Sequence, residues 1–121
     1  MYELMVEGNF DAAHQLIGYE GPCEKLHGHT WKVRMQVSGK KLNKIGVVED
    51  FKKLKAVLYG TLSRFDHTNL NTLAPFRKVN PTSENVAKYI FDDLAEKLGK
   101  SVRLEKVTVF ESSVTSATYS R

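Results

Sequence analysis

The sequence predicts an α+β fold: a four-stranded antiparallel sheet with two helices packed on one face. Three observations lead there. Both ends of the chain carry runs in which apolar and polar residues alternate, two stretches between them carry apolar residues at helical spacing, and polar breaks, several of them bearing glycine, separate the runs. The order is strand, strand, helix, helix, strand, strand (ββααββ).

The first strand runs from Tyr2 to His14, with Tyr2, Leu4 and Val6 alternating against Glu3 and Glu7. Gly8-Asn9 interrupts the pattern and predicts a bulge or twist. Residues 15 to 26 hold Gly18, Gly21 and Pro22 with little periodicity, a loop of functional length that contains Cys23. From His27 to Ser38 the alternation is clean, with Trp31, Val33, Met35 and Val37 on one face and Lys32, Arg34 and Gln36 on the other. Gly39 to Gly46 is polar turn material, and Val47-Val48 predicts a short strand ahead of Asp50, a good helix N-cap.

The first helix is predicted from Phe51, Leu54, Leu58, Leu62 and Phe65. Gly60 within it costs about 1 kcal/mol relative to alanine. A loop from Asp66 to Pro81 leads to Thr82-Ser83-Glu84, capping residues followed by a carboxylate that favours the positive end of a helix dipole. Val86, Ala87, Ile90, Phe91, Leu94 and Leu98 form the apolar stripe of the second helix, and Gly99 suits its C-terminal cap. Val102 to Glu111 and Val114 to Tyr119 read as a closing hairpin turned at Ser112-Ser113.

A length of 121 residues allows one domain over 1–121 and no second. With 41% hydrophobic and 26% charged residues, disorder is disfavoured. No apolar run approaches the roughly 20 residues of a membrane-spanning helix, and acids stand where a secretory signal would have a basic end. These features predict a cytoplasmic protein with no membrane partner. The net charge of +4 suits an anionic ligand but is spread along the chain, which argues against nucleic acid. A single cysteine excludes an internal disulfide. The open sheet edges predict a homo-oligomer.

Three of the four histidines carry the chemical signal. His27 and His29 lie two apart on a strand, so both rings point to one face about 6.5 Å apart. His14 ends the preceding strand, where antiparallel pairing can bring a third nitrogen to the same ion. Three imidazoles leave a tetrahedral zinc one open position, the arrangement of a catalytic site. The competing reading is three ordinary surface or core histidines. Gly28, lacking a side chain, leaves room for a close backbone approach.

Cys23 stands four residues before His27. A lone cysteine is usually an inert buried residue, but beside a dication its pKa falls and the thiolate can accept a proton. Asp66-His67 is either a solvated turn after the helix or a carboxylate and imidazole that relay this proton. Glu111 shares strand parity with Val107 and Val109, which places an acid either at an exposed strand end or in a pocket that needs a negative acceptor.

Taken together, Phe10-Asp11-Ala12-Ala13-His14, Cys23-Glu24-Lys25-Leu26-His27-Gly28-His29, Val48-Glu49-Asp50-Phe51, Phe65-Asp66-His67, Pro81-Thr82-Ser83-Glu84-Asn85 and Phe110-Glu111 resemble the 6-pyruvoyltetrahydropterin synthase family. Within it, the sequence is closest to the 6-carboxytetrahydropterin synthases. The resemblance spans nearly the whole chain. It implies the T-fold (tunnelling fold), trimers stacked into a hexamer, and active sites between subunits. It also implies zinc on His14, His27 and His29, with Cys23, Asp66 and His67 as the catalytic trio. Glu111, helped by Thr82 and Ser83, would anchor the pterin ring of 7,8-dihydroneopterin triphosphate. The implied products are 6-carboxy-5,6,7,8-tetrahydropterin, acetaldehyde and triphosphate, in queuosine biosynthesis. Glu24 is either a solvated loop acid or a base in the manner of an aldolase-like branch that makes 6-hydroxymethyl-dihydropterin for folate. A pyruvoyl-forming activity is the other enzymatic alternative.

Overall fold

The computed structural model describes residues 1–18 and 25–121. Strand β1 spans Tyr2–His14 and β2 spans His27–Gly39; helix α1 is Phe51–Leu62. A two-residue strand β3, Thr68–Asn69, precedes two short 3-10 turns, Leu70–Thr72 and Ala74–Phe76. Helix α2, Ser83–Lys97, is followed by β4 at Arg103–Phe110 and β5 at Ser116–Ser120. The sheet order is β3-β1-β2-β4-β5. The expected T-fold α+β arrangement is present, with the two helices on one face of the sheet.

Three expectations need correction. First, the sheet has five strands and is mixed, because Thr68–Asn69 pairs parallel with Ala12–Ala13 along the outer edge of β1. The region read as loop from Asp66 to Pro81 therefore covers part of a strand edge that would otherwise lie open. Second, Gly8-Asn9 makes no bulge. β1 and β2 pair without a break from Tyr2 opposite Gly39 to His14 opposite His27. Gly8 serves packing instead: a Cβ there would come within 3.0 Å of Leu62 Cδ1 and of the Tyr59 ring, so its absence lets α1 lie close on β1. The irregularity falls elsewhere, between Gln36 and Val37 against β4. Third, Val47-Val48 is not a strand. Val48 is a buried plug over Gly39, where an added Cβ would overlap Val48 Cγ1 at 2.3 Å.

Both helices begin as their residues dictate. Asp50 accepts from the Lys52 N–H at 2.8 Å, and Thr82 Oγ1 accepts from the Asn85 N–H at 3.0 Å. Helix α1 stops at Leu62, and Phe65 enters the core from the following turn, tilted against Phe10 at 5.4 Å. Helix α2 ends on Leu98, whose N–H returns to the Leu94 carbonyl; Gly99 takes no left-handed conformation. The core lies between the helices and one sheet face, where Val6, Phe10, Trp31, Val33, Val107 and Val109 meet Leu58 and Ile90. By strand alternation, His14, His27 and His29 belong to this same core-facing side, at the end of the sheet where β1 stops and β2 starts.

Candidate metal centre and active site

Antiparallel pairing sets His14 directly opposite His27, and His29 opposite Ala12. The three rings therefore cluster, with centroid separations of 4.7 Å for His14–His27, 5.3 Å for His14–His29 and 5.7 Å for His27–His29. One potential ligand nitrogen from each lies within 4.8 Å of the others. Trp31, two residues past His29 on the same face, walls the cluster. It stacks on His29 at 4.4 Å and stands edge-on to His14 at 4.7 Å.

The tautomers follow from the partners of Nδ1. His14 Nδ1–H donates to the Pro81 carbonyl at 2.8 Å, His27 Nδ1–H to the Lys25 carbonyl at 2.9 Å, and His29 Nδ1–H to the Thr30 carbonyl at a longer 3.4 Å. Each bond leaves Nε2 with its lone pair facing inward. Among the described residues, the Nε2 atoms of His14 and His29 are buried and have no hydrogen-bond partner. A buried orphan acceptor is costly, and two of them at one point are explained by an ion that takes both lone pairs. Burial, first of all, lowers the His14 pKa, and repulsion from His27 and His29 adds to it, against the raising effects of the Pro81 bond and Glu111. The ring is thus neutral at pH 7, as a ligand must be. Imidazoles fixed through backbone carbonyls form the outer shell that zinc sites use to orient their ligands. The donor set fits zinc.

Glu111 stands one residue past β4, and its Oε1 lies 3.1 Å from His14 Nε2, at ion-pair distance but without hydrogen-bond alignment. Its parity with Val107 and Val109 brings it to the histidine cluster, partly exposed. Thr82 and Ser83 follow Pro81 directly, so the start of α2 borders His14 through the Pro81 carbonyl.

Asp66 and His67 pair with each other, Oδ2 to Nδ1 at 3.0 Å. Asp66 Oδ1 accepts the Asp11 N–H at 2.8 Å, and the His67 N–H donates to the Asp11 carbonyl at 2.6 Å. His67 adopts φ 58°, unusual for a residue with a side chain. The Asp11 N–H, above all, holds the Asp66 carboxyl below its ordinary range, and His67 assists. Among the described residues, this pair neither hydrogen-bonds nor ion-pairs with the histidine cluster of its own chain. Asp11, Asp66 and His67 make a second group with ligand atoms within 4.8 Å, but all three residues are exposed and already bonded to one another. Cys23 and Glu24 lie outside the described residues.

Two features had no sequence-level expectation. The Pro81 carbonyl is backbone and leaves no residue signature, whereas Trp31 shared the parity of His27 and His29 and was recoverable. Among the described residues Gly28 does not carry the role expected of it within one chain, since a Cβ there would meet none of them nearer than the Ala12 carbonyl at 3.9 Å.

Known proteins share this chain's fold and sequence pattern. The family profile described as 6-pyruvoyl tetrahydropterin synthase matches residues 3–121. A Synechocystis 6-carboxy-5,6,7,8-tetrahydropterin synthase is 36% identical over 124 residues, covering 98% of this chain and 93% of the relative. A Pyrococcus furiosus dihydroneopterin monophosphate aldolase is 36% identical over 110 residues, covering 91% of this chain and 90% of the relative. The solved structure of Caenorhabditis elegans 6-pyruvoyl tetrahydropterin synthase superposes with a TM-score of 0.90 at 29% identity, covering 99% of this chain and 95% of that one. The chain belongs to the 6-pyruvoyl tetrahydropterin synthase family of pterin enzymes.

Proposed function

We propose that the protein is a zinc-dependent 6-carboxy-5,6,7,8-tetrahydropterin synthase. It converts 7,8-dihydroneopterin triphosphate and releases acetaldehyde and triphosphate, in the cytoplasm, as a step towards 7-deazaguanine and queuosine. The observation that carries the reading is the pair of buried Nε2 atoms on His14 and His29 that have no hydrogen-bond partner among the described residues, in a cluster with His27 whose ligand atoms lie within 4.8 Å of one another. The catalytic relatives described above support the choice of substrate class.

Bound to these nitrogens, zinc would supply a Lewis acid that polarises the side-chain hydroxyls and acidifies the adjoining C–H bonds. Cys23, four residues before His27, accepts a proton as thiolate. Asp66, an anion at neutral pH, orients His67 and stabilises its charged form while the imidazole carries the proton onward. With His14 Nε2 given to the metal, the Glu111 carboxylate is available to accept from the amino and ring N–H groups of the pterin, and Thr82 and Ser83 border the same space. Since Asp66 and His67 do not reach the cluster of their own chain, the relay in this reading comes from a neighbouring copy. The exposed strand β5 forms the free edge of the sheet opposite β3, which supports pairing between copies and a homohexamer built as a dimer of trimers.

Incubation with 7,8-dihydroneopterin triphosphate, followed by identification of the pterin and the aldehyde, tests the assignment. A carboxypterin with acetaldehyde supports it. A 6-hydroxymethyl-dihydropterin would instead favour the aldolase-like reading, for which Glu24 beside Cys23 and the Pyrococcus furiosus relative are the specific grounds. A pyruvoyl product would identify the remaining alternative.

A further inference from the structure

Beyond the end of β1, two asparagine side chains bond to the backbone of the departing chain at Gln15 and at Ile17. Asn71 accepts the Gln15 N–H through Oδ1 and donates Nδ2–H to the Gln15 carbonyl, both at 2.9 Å. Asn80 does the same for Ile17, accepting at 2.8 Å and donating at 2.9 Å. An amide has one acceptor and a donor at the spacing of a residue's own N–H and C=O, so each side chain satisfies a whole backbone position. The two residues so held, Gln15 and Ile17, directly follow the strand that ends in His14.

The Asn80 position has a second consequence. Its own carbonyl accepts from Asn85 Nδ2 at 2.9 Å, and the next residue, Pro81, offers the carbonyl that holds His14 Nδ1 at 2.8 Å. His14 and Ile17 on one segment are thus cross-bonded to Pro81 and Asn80 on the other. The Pro81 carbonyl cannot drift from His14 without stretching the Asn80–Ile17 pair or the Asn85 bond. From this we infer that Asn80, braced by Asn85, is a positioning residue for the metal centre: it fixes the carbonyl that sets the tautomer and direction of His14. The inference rests on the metal-binding part of the proposed function. Outer-shell partners of this kind are worth about 10- to 100-fold in metal affinity.

The test uses the full chain as wild type, Asn80→Ala and Asn85→Ala. Zinc dissociation constants are measured by chelator competition, visible absorption of the Co2+-loaded protein reports ligand geometry, and Tm is measured without metal. The expected result is zinc binding weakened about 10- to 100-fold in Asn80→Ala and by a smaller factor in Asn85→Ala, with altered Co2+ bands. If both folded variants keep wild-type zinc affinity and Co2+ spectrum while only the metal-free Tm falls, the asparagines merely tie down the chain after β1 and the inference is overturned. Should Asn80→Ala not fold, Asn85→Ala, which removes a single bond, decides alone. A wild-type protein that binds no zinc would instead defeat the proposed function, so the two failures are distinct.

Discussion

Asp66 Oδ1 accepts the backbone N–H of Asp11 at 2.8 Å, which pins the turn after α1 to the strand that ends in His14. The His67 N–H on the Asp11 carbonyl completes the pairing, and β3 continues it at Ala12 and Ala13. Asp11 and His14 differ in strand parity, so they project from opposite faces. One strand thereby carries the proposed metal ligand on its core face and the proposed relay pair on its edge. Since the pair makes no hydrogen bond or ion pair with the histidine cluster of its own chain among the described residues, the proposed reaction is expected to draw its parts from two chains.

Mixing two inactive variants tests this. Cys23→Ala and Asp66→Asn homo-oligomers are each expected to lose turnover. If they are unfolded and reassembled together in equal amounts, random assembly leaves about a quarter of sites with both groups intact. Recovery of about a quarter of wild-type activity is the expected outcome, whereas groups acting within one chain would leave the mixture as inactive as its parents.

A second expectation concerns the metal. His29→Ala removes one of three imidazoles and leaves two, too few for the open tetrahedral site, so zinc content should drop from about one ion per chain to under a tenth after dialysis. Metal that binds the folded state alone also adds stability, about 2.7 kcal/mol at a hundredfold excess over its dissociation constant. Chelation should therefore lower Tm in the wild type and leave the Tm of His29→Ala unmoved. Metal analysis and thermal melts with and without chelator check both points.

Much of this site was legible before the fold was seen. The period-2 runs ending at His14 and opening at His27 required the rings to share a face once the strands paired, and the parity of Glu111 brought it to the same end. The parts that stayed hidden have physical reasons. Two residues, Thr68 and Asn69, are too few to show a period, so β3 read as loop. Val47-Val48 has strand-like composition, but Val48 earns its burial by filling the space above Gly39, not by ladder bonds. The hold on His14 comes from the Pro81 carbonyl, and every residue has a carbonyl. The left-handed backbone of His67 likewise carries no residue signal, because the bonds that impose it come from Asp11, far away in sequence.

The acid limb of stability should depend on Asp93. Its carboxylate receives Thr61 Oγ1 at 2.6 Å, Arg64 at 2.6 Å and Lys97 at 2.9 Å, joining α2 to the end of α1. Burial opposes ionisation, but the bonds from Thr61 and Lys97 and the charge of Arg64 outweigh it and hold the carboxyl below its usual range. A depressed native pKa contributes stability that is fully present above the unfolded value of about 3.9 and is lost as pH falls through the native value. Asp93→Asn should cost about 1–3 kcal/mol at pH 7 and noticeably less at pH 3. Urea titrations at the two pH values measure the difference; an equal loss at both would show that the charge is not what the network uses.

Three glycines should respond to alanine in different ways, because their surroundings differ. At Gly39 the new Cβ would overlap Val48 Cγ1 at 2.3 Å and press on the Ser101 carbonyl at 3.0 Å, a collision that side-chain rotation alone does not relieve. Gly39→Ala should destabilise by about 1–3 kcal/mol. At Gly8 the contacts are with Leu62 Cδ1 and the Tyr59 ring at 3.0 Å, side-chain ends that can yield, so the loss should be smaller. Gly60, inside α1, has no described residue within 4 Å of an added Cβ and no positive φ, and Gly60→Ala should therefore stabilise by about 0.5–1 kcal/mol through helix propensity and a less flexible unfolded chain. Denaturant midpoints at constant m-value give all three. Destabilisation by Gly60→Ala would mean that this face of α1 is covered by another copy of the chain, which joins the measurement to the assembly proposed for the active site.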